Sequence, residues 1–100
     1  MMDINYELYK VFYHVATTLN FSEASKQLFI SQSAVSQSIK TLERKLDQTL
    51  FIRSTKKVQL TPEGDILFKH IEPAMNLIHK GETQLLEANP LNGGQLRIAA

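Results

Sequence analysis

Between Leu8 and Leu46 the apolar residues recur every three or four positions, and only two short breaks interrupt them. Residues at that spacing share one face of an α-helix, so this stretch is confined to a few short amphipathic helices around a common core. Leu8, Val11, Phe12, Val15, Ala16 and Leu19 form the first such face, which predicts a helix over roughly Tyr6–Thr18 with Asn5 as its cap. Asn20-Phe21-Ser22 breaks the pattern. Ser22 is expected to cap a short second helix that turns Ala24 and Leu28 inward, with Phe21 stapling its entry. Ile30-Ser31 is a tight connection, and Ser31 suits the cap of a third helix whose stripe is Val35, Ile39, Leu42 and Leu46.

Beyond the third helix the periodicity shortens. Leu50–Arg53 and Val58–Leu60 are strand candidates, with Ser54-Thr55-Lys56-Lys57 as a basic hairpin tip between them. Thr61-Pro62 then opens a fourth helix: a capping threonine, a proline at the first helical position, and Glu63 and Asp65 at the positive end of the helix dipole. This helix is expected to run to about Ala88, a length of roughly 40 Å at 1.5 Å per residue. Asn89-Pro90 stops it, Asn92-Gly93-Gly94 reads as a hinge, and Gln95 to Ala100 reads as the start of a strand. The order is that of a mostly α fold: a winged helix-turn-helix of three helices and a two-stranded wing, followed by a long linker helix. Three regions result: 1–61 as the winged helix-turn-helix, 62–89 as the linker helix, and 90–100 as a hinge and the beginning of a truncated further domain.

The overall charge of +1 hides an uneven distribution. From Ser22 to Thr61 there are seven basic residues (Lys26, Lys40, Arg44, Lys45, Arg53, Lys56, Lys57) and three acidic ones (Glu23, Glu43, Asp47), a local excess of +4. The preceding residues carry −1 and those from Pro62 onward −2. The basic centre is an electrostatic footprint for a polyanion. The face of the third helix opposite its apolar stripe carries Ser33, Ser36, Gln37, Lys40 and Arg44, with no acidic residue. Such a face offers donors and acceptors to base edges and phosphates in a major groove, and a lysine-rich hairpin beside it suits the backbone or the minor groove. The alternative is that these residues form an ordinary solvated surface.

Other chemistries find little support. The chain has no cysteine, so disulfides and thiolate metal sites are excluded. No apolar run reaches the ~18 residues of a membrane span, and the N-terminus lacks the apolar core of a signal peptide, which points to the cytosol. His14, His70 and His79 are too scattered for a metal site or a triad. No nucleophile–base pair and no phosphate loop is evident, so neither an enzyme nor a cofactor is expected.

The stretch from Asn20 to Gly64 resembles the DNA-binding domain of the LysR-type transcriptional regulators. The resemblance is carried by Phe21-Ser22, Ala24, Leu28, Ser31-Gln32, Ala34, Ser36, Ile39, Leu42-Glu43, Leu46, Leu50-Phe51, Arg53, Leu60-Thr61 and Gly64. It implies a bacterial, nucleoid-associated regulator that binds double-stranded DNA. Gln32, Ser33, Ser36, Gln37 and Lys40 would lie on the recognition helix, and Arg53, Thr55, Lys56 and Lys57 on the wing. It further implies a homodimer or homotetramer whose linker helices pair antiparallel on an interrupted palindrome. A small co-inducer would bind only a C-terminal domain that this chain lacks. Three positions depart from the family pattern: Ser25 replaces an alanine, Ser33 stands where proline is common, and Asp47 replaces the glycine that ends the recognition helix. The last substitution places Asp47 in a left-handed cap, a conformation that aspartate tolerates better than most residues.

Three further readings concern packing. Glu43 and Arg53 are expected to pair and so tie the recognition helix to the wing, unless Arg53 points at DNA instead. Leu67, Ile71, Ala74, Ile78, Gly81 and Leu85 repeat with spacings of 4, 3, 4, 3 and 4, a heptad seam suited to dimerisation, although its first turns can also pack on their own domain. Pro73 deletes one hydrogen bond within that helix and is expected to bend it. Three functional readings follow: a DNA-binding fragment of a larger regulator, a self-contained winged-helix regulator, and a winged helix serving protein interaction with the long helix as an oligomerisation strut.

Overall fold

The computed structural model describes residues 3–55 and 57–88. Three helices come first: α1 (Tyr6–Thr18), α2 (Phe21–Leu28) and α3 (Gln32–Leu46). Each begins at a polar cap. Asn5 Oδ1 accepts from the Glu7 amide at 2.7 Å, Asn20 Oδ1 from Glu23 at 2.9 Å, and Ser31 Oγ from Ala34 at 3.1 Å. The second cap differs from expectation, because Asn20 and not Ser22 starts α2. Asn20 has extended backbone (φ −153°), and Thr18 Oγ1 accepts its amide at 3.3 Å, so the preceding helix end presets the cap. Phe21 thereby becomes the first helical residue and enters the core.

Each of the three helices also ends on a non-glycine residue with left-handed backbone: Leu19 (φ 51°), Phe29 (φ 58°) and Asp47 (φ 55°). Asp47 thus adopts the conformation expected of the position where the family it resembles has glycine. The Asp47 amide bonds back to Arg44 O, and the Gln48 amide to Glu43 O, which satisfies carbonyls that a helix end leaves open.

Strands β1 (Phe51–Arg53) and β2 (Val58–Leu60) pair antiparallel, with Phe51 opposite Leu60 and Arg53 opposite Val58. β1 begins one residue later than expected; Leu50 is instead buried beneath the start of the last helix. That helix, α4 (Pro62–Ala88), starts as its sequence demands: Thr61 Oγ1 accepts from the Gly64 amide at 2.9 Å and donates to Thr49 O at 2.6 Å. Gly64 is the close-approach point. A Cβ there would run into Leu50 O.

The core is built from Val11, Phe12, Val15, Ala16, Phe21, Ala24, Val35, Ile39, Leu42, Leu50 and Phe51, with Leu67, Phe68 and Ile71 of α4 packed against it. Phe12 sits at its centre, with ring centroids 5.4 Å from Phe51 and 6.4 Å from Phe68. The remainder of α4 extends past this core, and the molecule measures 50 × 30 × 20 Å. The expected stop at Asn89-Pro90, the Gly93-Gly94 hinge and the strand from Gln95 lie outside the described residues.

Candidate nucleic-acid interface

Burial of Val35, Ile39 and Leu42 rolls α3 so that Gln32, Ser33, Gln37 and Lys40 face outward, all exposed. Ser36 lies between them and is half-buried. Arg44 continues the same exposed face, so the surface carries positive charge and hydrogen-bonding groups without a carboxylate.

The wing is brought alongside by two contacts, neither of which is the expected Glu43–Arg53 ion pair. Glu43 Oε2 accepts from the Leu50 and Phe51 amides at 2.8 and 3.2 Å. Arg53 Nη2 donates to Ser36 Oγ at 2.9 Å, and its guanidinium carbon stands 4.0 Å from the centroid of the Phe21 ring. The reason is positional. Glu43 lies two turns beyond Ser36, about 10 Å along α3, next to strand-entry amides that need an acceptor. Arg53 lies at the other end of β1, beside Ser36 and Phe21. Two residues therefore bind α3 to the wing, each through a different partner.

A turn closes the wing: Ser54 N donates to Lys57 O at 2.9 Å and Lys57 N to Ser54 Oγ at 3.1 Å. Thr55 and Lys57 are exposed, and Lys56 lies outside the described residues. Between the wing, the start of α2 and the start of α3 opens a cleft of about 370 Å³, lined by Asn20, Phe21, Ser22, Gln32, Arg53, Thr55 and Lys57 among others. The fold thus gathers Gln32, Arg53, Thr55 and Lys57 around one cleft and joins Ser36 to it through Arg53. Ser33, Gln37 and Lys40 continue the surface along α3. Sequence reasoning missed the part played by Phe21, Asn20 and Ser22. Phe21 looked like a staple, and nothing in a linear pattern tells that a residue thirty-two positions later will stack on it.

The expected heptad seam divides. Leu67 and Ile71 pack on the core, whereas Ala74, Ile78, Gly81 and Leu85 are exposed. Leu77 and Leu86, outside the expected seam, are also exposed, at 67% and 61%. A Cβ at Gly81 would meet nothing within 4 Å. His14 Nδ1 lies 2.8 Å from Gln27 Oε1, a link between α1 and α2. Among the described residues no helix is long and apolar enough to cross a membrane.

Comparison with known proteins matches residues 6–65 to the family described as bacterial regulatory helix-turn-helix protein, lysR family. A probable RuBisCO transcriptional regulator from Emiliania huxleyi is 40% identical over 81 residues, covering 81% of this chain and 26% of the relative. The regulator CysL from Bacillus subtilis is 35% identical over 95 residues, covering 95% of this chain and 32% of its own length. The chain thus spans about a quarter to a third of these relatives. Among solved structures, Corynebacterium glutamicum OxyR in its oxidized form superposes with a TM-score of 0.75 at 28% identity, covering 81% of this chain and 26% of that one. The DNA-binding domain of CbnR in complex with DNA superposes with a TM-score of 0.72 at 25% identity, covering 81% of this chain and 93% of that one.

Proposed function

Because the chain belongs to the LysR family of bacterial regulatory helix-turn-helix proteins, we propose that it binds double-stranded DNA sequence-specifically, with α3 in the major groove and the wing on the backbone or in the minor groove. The observation that carries this reading is the outer face of α3, exposed and free of carboxylates, with a basic wing fastened beside it. The CbnR domain bound to DNA shares this architecture. Gln32, Ser33, Ser36, Gln37 and Lys40 form the reading surface, and Arg53, Thr55 and Lys57 flank it, with Lys56 joining them by its place in the sequence.

The exposed half of α4 supports assembly. Ala74, Ile78, Gly81 and Leu85 continue the repeat begun by Leu67 and Ile71 but find no core of their own, and a second copy pairing antiparallel would cover them. Two recognition helices related by a twofold axis would read two half-sites of an interrupted palindrome. Control by a small molecule belongs to whatever further domain the whole protein carries. The relatives are named as transcriptional regulators, and a regulator working on DNA in the cytoplasm is the role this chain fits.

Selection of bound duplexes from a random DNA pool, followed by titration at several salt concentrations, tests the reading. Gln37 presents one donor and one acceptor, as adenine does in the major groove. Gln37→Ala is expected to cost about 1–3 kcal/mol on the selected site, little on unrelated DNA, and to leave the salt slope unchanged. Lys57→Ala should weaken all duplexes alike and flatten the slope by about one unit. If the chain shows no salt-dependent DNA binding at all, the face is a solvated surface or a protein-docking one.

A further inference from the structure

We infer that Arg53 is a positioning residue, which acts on DNA through Ser36 by committing that hydroxyl to donate to an acceptor. The inference rests on the DNA-binding reading and goes one atom further. A serine hydroxyl holds one proton and two lone pairs. One lone pair of Ser36 Oγ is taken by Arg53 Nη2 at 2.9 Å. A cationic donor on that oxygen polarises the O–H bond and turns its proton away from the guanidinium.

Within its own helix the proton has one customary use, donation to a carbonyl three or four residues back. Ser25 spends its proton in this way, on Ser22 O at 2.7 Å. Among the described residues Ser36 makes no such bond, so its proton is left for a ligand on the exposed side of α3. The arrangement is held from behind. The Phe21 ring lies against the Arg53 guanidinium, and Phe21 is itself anchored in the core beside Phe51, 6.4 Å away between centroids. Stacking and hydrogen bonding together fix the planar group in a way a flexible ammonium cannot reproduce. On DNA the acceptors within the groove are purine N7, guanine O6 and thymine O4, and at its edge phosphate oxygens. The exocyclic amines of adenine and cytosine are donors, and they find only the one lone pair that Arg53 leaves and nothing for the proton.

The test uses a duplex selected from a random pool by the unaltered chain. Ser36→Ala and Arg53→Ala should each weaken binding about tenfold, the scale of one lost hydrogen bond to a charged or polarised group. The double variant should be no weaker than the worse single one. Arg53→Lys should behave like Arg53→Ala, and none of these variants should change the salt slope. Ser36→Ala removes only a half-buried hydroxyl, and a thermal melt of each variant separates lost folding from lost contact. Two further arms alter the DNA instead. Single 7-deazapurines, 2-aminopurine for guanine and 5-methyl-2-pyrimidinone for thymine remove N7, O6 and O4 in turn, single methylphosphonates remove a phosphate charge, and at one position the change should weaken the unaltered chain but not the Ser36→Ala variant. The arm in which that position appears identifies the acceptor as base or backbone. Losses that multiply in the double variant, full binding by Arg53→Lys, or a salt slope lowered by about one unit in Arg53→Ala would show Arg53 gripping a phosphate itself and overturn the inference. If the unaltered chain selects no sequence, the DNA-binding reading falls, and this inference with it. Selective binding with multiplying losses sinks this inference alone.

Discussion

The two halves of α4 carry one apolar repeat and meet different surroundings. Leu67 and Ile71, near its start, lie against the core together with Phe68, whose ring stands 6.4 Å from Phe12, whereas Ile78 and Leu85 face outward at 43% and 74% exposure. The sequence spacing is the same throughout. What differs is the reach of the three-helix core, which ends about three turns into the helix. A heptad repeat states that a face will be covered, and the size of the neighbouring domain decides by what.

The sharpest way to break this contrast is Gly64→Ala. The added methyl would meet Leu50 O and the Leu60 side chain, where neither backbone nor core has room. We expect a loss above about 3 kcal/mol, or a Tm lower by more than about 12 °C in a circular-dichroism melt. A melt within about 4 °C of the unaltered chain would mean that α4 can tilt away from the wing at little cost. Next comes Leu67→Ala, which should cost about 2 kcal/mol of folding stability without altering the mass measured by sedimentation. Dissociation without destabilisation would move Leu67 into the pairing surface. The smallest effect on folding is expected from Ile78→Lys together with Leu85→Lys. At dilutions where only single chains exist, their stability should change by less than about 0.5 kcal/mol. At high concentration the same variant should sediment as one chain where the unaltered protein sediments as two. A variant that stays associated would shift the pairing surface toward Leu77 and Leu86.

The elements of this fold were legible because their signals are local. Asn5, Ser31 and Thr61 cap helices where their side chains suggest, and the stripe Val35, Ile39, Leu42 marks the buried face of α3 without ambiguity. Asp47 was legible only through the family resemblance, since aspartate by itself does not announce a left-handed backbone. The errors came where two local signals competed or where partners meet across space. Asn20 and Ser22 are both good caps, and the neighbouring Thr18 decided between them. Glu43 and Arg53 carry opposite charges, but unpaired strand amides and an aromatic face lay nearer to each than they did to one another. The face proposed to meet DNA was readable as a face. Its internal wiring, from Phe21 through Arg53 to Ser36, was not.

Thr61 bonds at once to the root of the wing and to the first turn of α4. This hydroxyl, together with the close approach at Gly64 and the packing of Leu67, Phe68 and Ile71, holds the angle at which a helix of 27 residues leaves the winged domain. At about 40 Å a tilt of about 5° displaces the far end by roughly 3.5 Å, close to the rise of one base pair. In an assembly joined along that rod, the joint at Thr61 acts as a protractor. If two copies pair as proposed, small angular changes there would become whole steps in the distance between their α3 helices, and the packing at Thr61 would bear on site spacing as the proposed base-reading residues bear on sequence.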